Sequence, residues 1–300
     1  MIIHTTIGEP NTTDATPAQT ARPSAVTPSP AALSGTSADG AASHPTATED
    51  LTAAAAVPQR RPGHLLIASL DVEWTKNYKI KNGNVPFCWS ITWLQTSTEP
   101  GTPPQSFACT SAYVSAAGQT QDLIDSADLA VGAMLAHADV IIGHQVSSDL
   151  AVLRNASARP LECVQALRDR WHARKATPVP PPGTGPRVID SRYDVDTVVT
   201  GTSRRLVDVC TELALNVTQP ELARHSMTAL HRIWLNEHDP EARERISVLN
   251  LRHGLSAAYA AAHAGGYLRL DQPLNVNRVL HDQLAGRFEW LATPTFQQLL

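Results

Sequence analysis

"HLLIASLDVEWTKN", residues 64–77, runs apolar through Leu65, Leu66, Ile67, Ala68 and Leu70, then sets two carboxylates, Asp71 and Glu73, one residue apart. The apolar run is short enough for a buried strand. Side chains alternate faces along a strand, so Asp71 and Glu73 point the same way. Like charges on one face repel, and burying them is costly. A solvated strand end with a stray salt bridge would tolerate such a pair. A divalent-metal site would require it, because hard cations such as Mg²⁺ take oxygen ligands and cancel the repulsion. Two such ions about 4 Å apart activate water and stabilise the leaving oxygen in phosphodiester cleavage. That chemistry needs more carboxylates from distant parts of the chain.

Outward from this strand, "FCWSITWL" (87–94) and "SFACTSAYV" (106–114) read as two further strands joined by the Pro/Gly turn "STEPGTPPQ" (97–105). Three antiparallel strands follow. "TQDLIDSADLAVGAMLAHA" (120–138) has helical spacing, with Leu123, Ala127, Val131 and Leu135 on one side. "DVIIGH" (139–144) is a short buried strand. "SSDLAVLRNASA" (147–158) opens a helix that Ser147 or Ser148 can cap. A Pro-rich loop, "ATPVPPPGTGPR" (176–187), leads to the fifth strand, "RVIDS". Helices are expected at about 203–215, 219–236 and 240–264, the last starting at Pro240 and stopping at Gly265-Gly266. The pattern is α/β, with a five-stranded mixed sheet flanked by helices. There is no internal repeat.

Residues 1–62 are rich in Ala, Thr, Ser and Pro and poor in aromatic and branched aliphatic side chains. Such a segment buries too little apolar surface to offset its ordering entropy, so a disordered tail is expected there, with one folded domain over 63–300. The opening "MIIHTTIGEP" lacks the cationic start and long apolar segment of a secretory signal, and no later run approaches a membrane span. A cytoplasmic protein is expected. The four cysteines, Cys88, Cys109, Cys163 and Cys210, lack metal-type spacing and read as reduced core thiols. A net charge of -4 argues against bulk electrostatic binding of nucleic acid, though not against a site where metal ions meet phosphates.

"ADVIIGHQVSSDLAVL" delivers another carboxylate, Asp149, just after a strand and in the first turn of a helix. With it, a resemblance becomes plain. "SLDVEW" (69–74) followed by "IIGHQVSSDL" (141–150) resembles the first two motifs of the DEDD (DnaQ-like) 3′–5′ exonucleases, which have the ribonuclease H-like fold. The family's first motif is Asp-x-Glu at the end of the first strand. Its second is Gly-His-Asn-x-x-(aromatic)-Asp, matched by Gly143, His144, Gln145 in place of Asn, Ser148 in place of the aromatic, and Asp149. Trp74 after Glu73 is typical of the Werner-type branch, and "VIDSRYDVDTVV" (188–199) resembles the strand that carries Asp-Thr in these proteins. The resemblance spans roughly residues 65–264. It implies that Asp71, Glu73 and Asp149 hold two Mg²⁺ or Mn²⁺ ions, that Glu73 also orients the attacking water, and that the substrate is a DNA or RNA 3′ end. Asp190 and His144 are expected to support structure, the latter shaping its loop. Trp74 has two readings, a platform for a terminal base or a core residue.

The family's third motif lies on the last helix, as His-x-x-x-x-Asp or Tyr-x-x-x-Asp. Here the helix reads "VLNLRHGLSAAYAAAHAGGY" (248–267). Taking His253 as the general base puts Ala258 where Asp should stand, and sliding by one puts Ala257 there. The Tyr version pairs Tyr259 with His263. No carboxylate is found, so one metal site is expected to be weakened, with His263 as a candidate substitute ligand. The chain is then either a three-carboxylate nuclease or a silent module that binds nucleic-acid ends. His225 and His231, spaced i, i+6, do not share a helix face, so a zinc site there is not expected. Arg204 and Arg205 have two readings, a solvated helix end or a contact to a nucleic-acid backbone. Nothing in the sequence specifies a protein partner.

Overall fold

The structure, a computed structural model, describes residues 1–6, 54–75, 83–98, 107–176, 185–195, 198–199, 201–218 and 225–300. The first half of the chain is strand-rich: β1 (Ile2–Thr6), β2 (His64–Thr75), β3 (Val85–Ser97), β4 (Phe107–Tyr113), α1 (Thr120–His137), β5 (Val140–Gly143) and α2 (Val146–Ala156). The second half is mostly helical: α3 (Glu162–Ala173), β6 (Arg187–Asp190), α4 (Leu206–Glu212), β7 (Leu215–Asn216), α5 (Met227–Glu237), α6 (Pro240–Ala264), β8 (Leu274–Asn275), α7 (Val276–Leu284) and α8 (Pro294–Gln297). The main sheet has six strands in the order β1-β4-β3-β2-β5-β6. Pairing is antiparallel from β1 through β2 and parallel from β2 to β6. The architecture is therefore α/β with a mixed sheet.

Side-chain alternation along β2 divides the core. Leu66, Ala68, Leu70 and Val72 belong to one apolar cluster, built with Leu123 and Val131 of α1, Leu150 of α2 and Leu167 of α3. Ile67 belongs to another, built with Leu251 and Leu255 of α6 and Leu280 of α7. Asp71 and Glu73 share the parity of Ile67, so the two acids lie on the face that α6 covers. Small residues let that helix lie close to the sheet. A Cβ added at Gly254 would sit 3.3 Å from Thr92 Oγ1 of β3 and 3.8 Å from the Ser69 carbonyl of β2. Asp239 caps the start of α6 by accepting from Glu241 N at 2.9 Å, and Pro240 follows it.

Two expectations are corrected. The sheet has six strands, not five, and the sixth comes from a segment assigned to the tail. Ile2–Thr6 pairs along β4, with Ile2 opposite Tyr113 and Thr6 opposite Cys109, and the Met1 amino group donates to Ser115 Oγ at 3.1 Å. The physical reason is the edge of β4: all seven of its residues are buried, and an uncovered edge there would leave backbone groups unpaired. Two isoleucines and two threonines are suited to such pairing. The residues just before β2 are also ordered. Ala54 is buried, Val57 packs against the core, and Arg60 Nη1 pairs with Asp139 Oδ1 at 2.8 Å. The rest of the expected tail, the turn at 99–105 and most of the Pro-rich loop at 177–184 lie outside the described residues.

Other differences are local. Gln145, not Ser147 or Ser148, stands at the N-cap of α2, without a capping side chain. The helix expected at 203–215 is the shorter Leu206–Glu212. That expected at 219–236 begins at Met227, while 219–224 falls outside the described residues. Arg205 pairs at 3.7 Å with Asp208 on an exposed surface, a solvated helix end. His231 is buried against Phe87, with its Nδ1 2.6 Å from Tyr113 Oη. Cys88, Cys109, Cys163 and Cys210 are all free thiols. Among the described residues, no helix is long and apolar enough to cross a membrane.

Candidate metal centre

The centre forms at one end of the parallel strands. β2 brings Asp71 and Glu73, and its register with β3 shifts between Glu73 and Trp74, a bulge that ends regular pairing beside the acids. Trp74 turns away and packs, half-buried, on the core, which favours the core reading. β5 runs parallel to β2 and delivers the loop after Gly143 to the same end. Only glycine fits there: an added Cβ would lie 2.7 Å from the Leu70 carbonyl and 2.7 Å from Val146 Cγ2. Gln145 then takes a left-handed conformation, φ 71°, and the chain turns into α2 with Asp149 in its first turn. Asn tolerates that conformation better than Gln. Here the turn is held by Gln145 N donating to Asp190 Oδ1 at 3.0 Å and by Gln145 Nε2 donating to Ser148 Oγ at 2.6 Å.

α6 supplies the opposite wall. Asn250 and His253, three residues apart, share one helix face. Asn250 Nδ2 donates to Asp71 Oδ2 at 2.6 Å, and its Oδ1 accepts from Cys88 Sγ at 3.8 Å. His253 Nδ1 stands 3.4 Å from Asp71 Oδ2 and 3.4 Å from Glu73 Oε1. These three ligand-type atoms all lie within 4.8 Å of one another, and among the described residues no other set of His, Cys and acidic side chains groups this way.

The electrostatics follow from crowding. Asp149 is buried, and its Oδ2 has no hydrogen-bond partner. Burial, followed by the charges of Asp71, Glu73 and Asp190, pushes its pKa well above the usual carboxylate range. Burial alone would hold the His253 pKa down. The hydrogen bonds to Asp71 and Glu73, and their charges, outweigh it and push the value up to about 10. His144 behaves oppositely: burial pulls its pKa down to about 4, leaving a neutral ring 3.0 Å from Ser191 Oγ. It shapes the loop, as expected.

Asp71, Glu73, Asp149 and His253 are thus brought to one place. Asp190 is buried nearby, and its oxygens are taken by Gln145 N, Arg192 N and Trp171 Nε1 at 3.0, 3.0 and 2.8 Å, a supporting role. The positions where the third motif sets its carboxylate, and His263, the candidate substitute ligand, do not reach the centre. Ala257 and Ala258 are buried in the apolar cluster behind it. Tyr259 is buried in the same cluster. His263 lies nearly three turns further on, with Nδ1 3.1 Å from the Leu268 carbonyl, so it is not a substitute ligand. The facing residue is Asn250, upstream of His253. Its signal was a polar amide within an apolar helical run, where Asn is a poor helix former and needs a partner.

The arrangement suits a divalent cation. A buried carboxylate oxygen without a donor is costly, and two more carboxylates beside it raise the cost. A cation among them removes both penalties. No protein-family model matches this chain, and no curated protein matches its sequence.

Proposed function

We propose that this protein is a metal-dependent 3′–5′ exonuclease of the DEDD type, on a ribonuclease H-like fold, hydrolysing the terminal phosphodiester of a DNA or RNA strand. The observation that carries the proposal is the partnerless, buried Asp149 Oδ2 in the electrostatic reach of Asp71 and Glu73. Three acids from two separate segments meet there, in the order and on the elements that the resemblance implies.

Asp71, Glu73 and Asp149 would hold the cation, Mg²⁺ or Mn²⁺ in a carboxylate set. When bound it would lower the pKa of a water and offset charge on the phosphate. The chain's own residues do the rest. Asn250 fixes Asp71 by donating to Oδ2, and Asp190 fixes the loop before Asp149 by accepting from Gln145 N. His253, held by both acids, carries a proton while they are its only partners. Positive charge between those acids would repel that proton and leave the imidazole neutral. His144 stays neutral and adds no charge to the centre.

A second reading is favoured by one observation: α6 presents Asn250 and His253 where a fourth carboxylate is expected. On that reading the module binds nucleic-acid ends and does not cut them. The full-length protein, given Mn²⁺ and a single strand labelled at its 5′ end, is expected to shorten it one nucleotide at a time from the 3′ end. Asp71→Asn and Asp149→Asn should each abolish the ladder. Binding of Mn²⁺ without shortening would select the silent module.

A further inference from the structure

Resting on the cation site proposed above, we infer that Asp71, Glu73 and His253 are ligands of a single four-coordinate ion of the zinc class, not part of a carboxylate cage selective for Mg²⁺. The spacing carries this. Two donors each about 2.1 Å from one ion, held at a tetrahedral angle, lie about 3.4 Å apart. His253 Nδ1 is 3.4 Å from Asp71 Oδ2 and 3.4 Å from Glu73 Oε1, two edges of such a tetrahedron. Around octahedral Mg²⁺, adjacent donors are closer, about 2.9 Å apart.

Donor chemistry points the same way. Imidazole nitrogen suits Zn²⁺ and its neighbours, whereas Mg²⁺ takes oxygen and keeps several waters. Three protein ligands with the fourth place left to water is the pattern of a hydrolytic zinc site. The surroundings are those of supporting residues: Asn250 Nδ2 on Asp71 Oδ2 at 2.6 Å orients one ligand. Asp149 is outside the group of atoms within 4.8 Å. Its buried, partnerless Oδ2 is the independent sign that something positive belongs in the space.

The full-length protein, stripped with a chelator, would be dialysed against equal concentrations of Mg²⁺, Mn²⁺ and Zn²⁺, then loaded with Co²⁺ as a coloured probe. The expected result is one Zn²⁺ per chain with Mg²⁺ excluded, and the intense visible bands of four-coordinate Co²⁺. His253→Ala should lose those bands and weaken Zn²⁺ by more than the roughly 10–100-fold that loss of a supporting residue costs. His253→Asp should move the preference toward Mg²⁺. Should either variant fail to fold, pulsed EPR of the Mn²⁺-loaded wild type reads the same point, with nitrogen coupling from His253 expected. Bound metal with weak six-coordinate Co²⁺ bands, or without nitrogen coupling, would overturn the zinc-class assignment and leave the cation site standing. No ion bound by wild type, or binding unchanged in Asp71→Asn, would overturn the cation site itself.

Discussion

Asp149 and Asp190 are both buried carboxylates, set beside neighbouring parallel strands, yet their surroundings differ in kind. Asp190 accepts from two backbone amides and from Trp171 Nε1. Burial raises its pKa, and those hydrogen bonds pull back against the rise. Asp149 has an oxygen with no donor, and every charged neighbour that acts on it is another acid. The first arrangement stabilises a fold. The second is a cost that the fold bears, and it makes sense when a cation is the missing partner.

The largest effect should come from adding a third case. Ala258 is fully buried in the apolar cluster, so Ala258→Asp places a carboxylate where neither donors nor a cation can reach it. Its ionised form costs several kcal/mol. The variant should be unfolded or greatly destabilised by thermal unfolding at neutral pH, whereas Asn250→Asp should stay folded once Mn²⁺ is present. A stable Ala258→Asp protein would undo the assignment of Asn250 as the facing position.

Next in size is Asp190→Ala, which strands three donors at once. At about 1 kcal/mol or more for each donor left buried and unpaired, denaturant titration should read a loss of roughly 3 kcal/mol. A loss below about 1 kcal/mol would mean that Asp190 is not the structural member of the pair.

The effect of His253 should depend on pH. Its folded pKa, about 10, lies above the ordinary 6.5. A raised value stabilises the fold fully below pH 6.5, and the contribution is lost as pH rises through about 10. In chelator-treated protein, His253→Ala should therefore lower the unfolding temperature much more at pH 6 than at pH 10.5. A gap that does not change with pH would show that packing, not the ion pair with Asp71 and Glu73, is what the imidazole supplies.

Much of this was legible in the chain. Asp71 and Glu73 stood out because strand alternation is strict, so two acids at i and i+2 must share a face whatever the tertiary context. α6 was read to its ends because Pro240 and Gly265-Gly266 punctuate it. What was missed depended on distant partners. Ile2–Thr6 is a strand because the buried β4 needs an edge partner, a demand made more than a hundred residues away. Asn250 went unread because no short-range pattern says which turn of a long helix crosses a strand end. α3 and α7 were not read, although Val164, Leu167 and Trp171, and Val276, Leu280 and Leu284, carry the helical spacing.

The most direct test of the central claim sets Asp149→Asn against wild type. Removing the charge deletes a buried carboxylate whose Oδ2 has no donor. Its folded pKa is raised, so the wild-type carboxylate loses stability as pH climbs above 3.8 and the amide does not. Without metal at neutral pH the variant should melt at the same temperature as wild type or a little above it. Added Mn²⁺ should raise the melting temperature of wild type by more than that of the variant. An equal rise in both proteins would contradict the account, because the cation would then be bound somewhere that Asp149 does not reach.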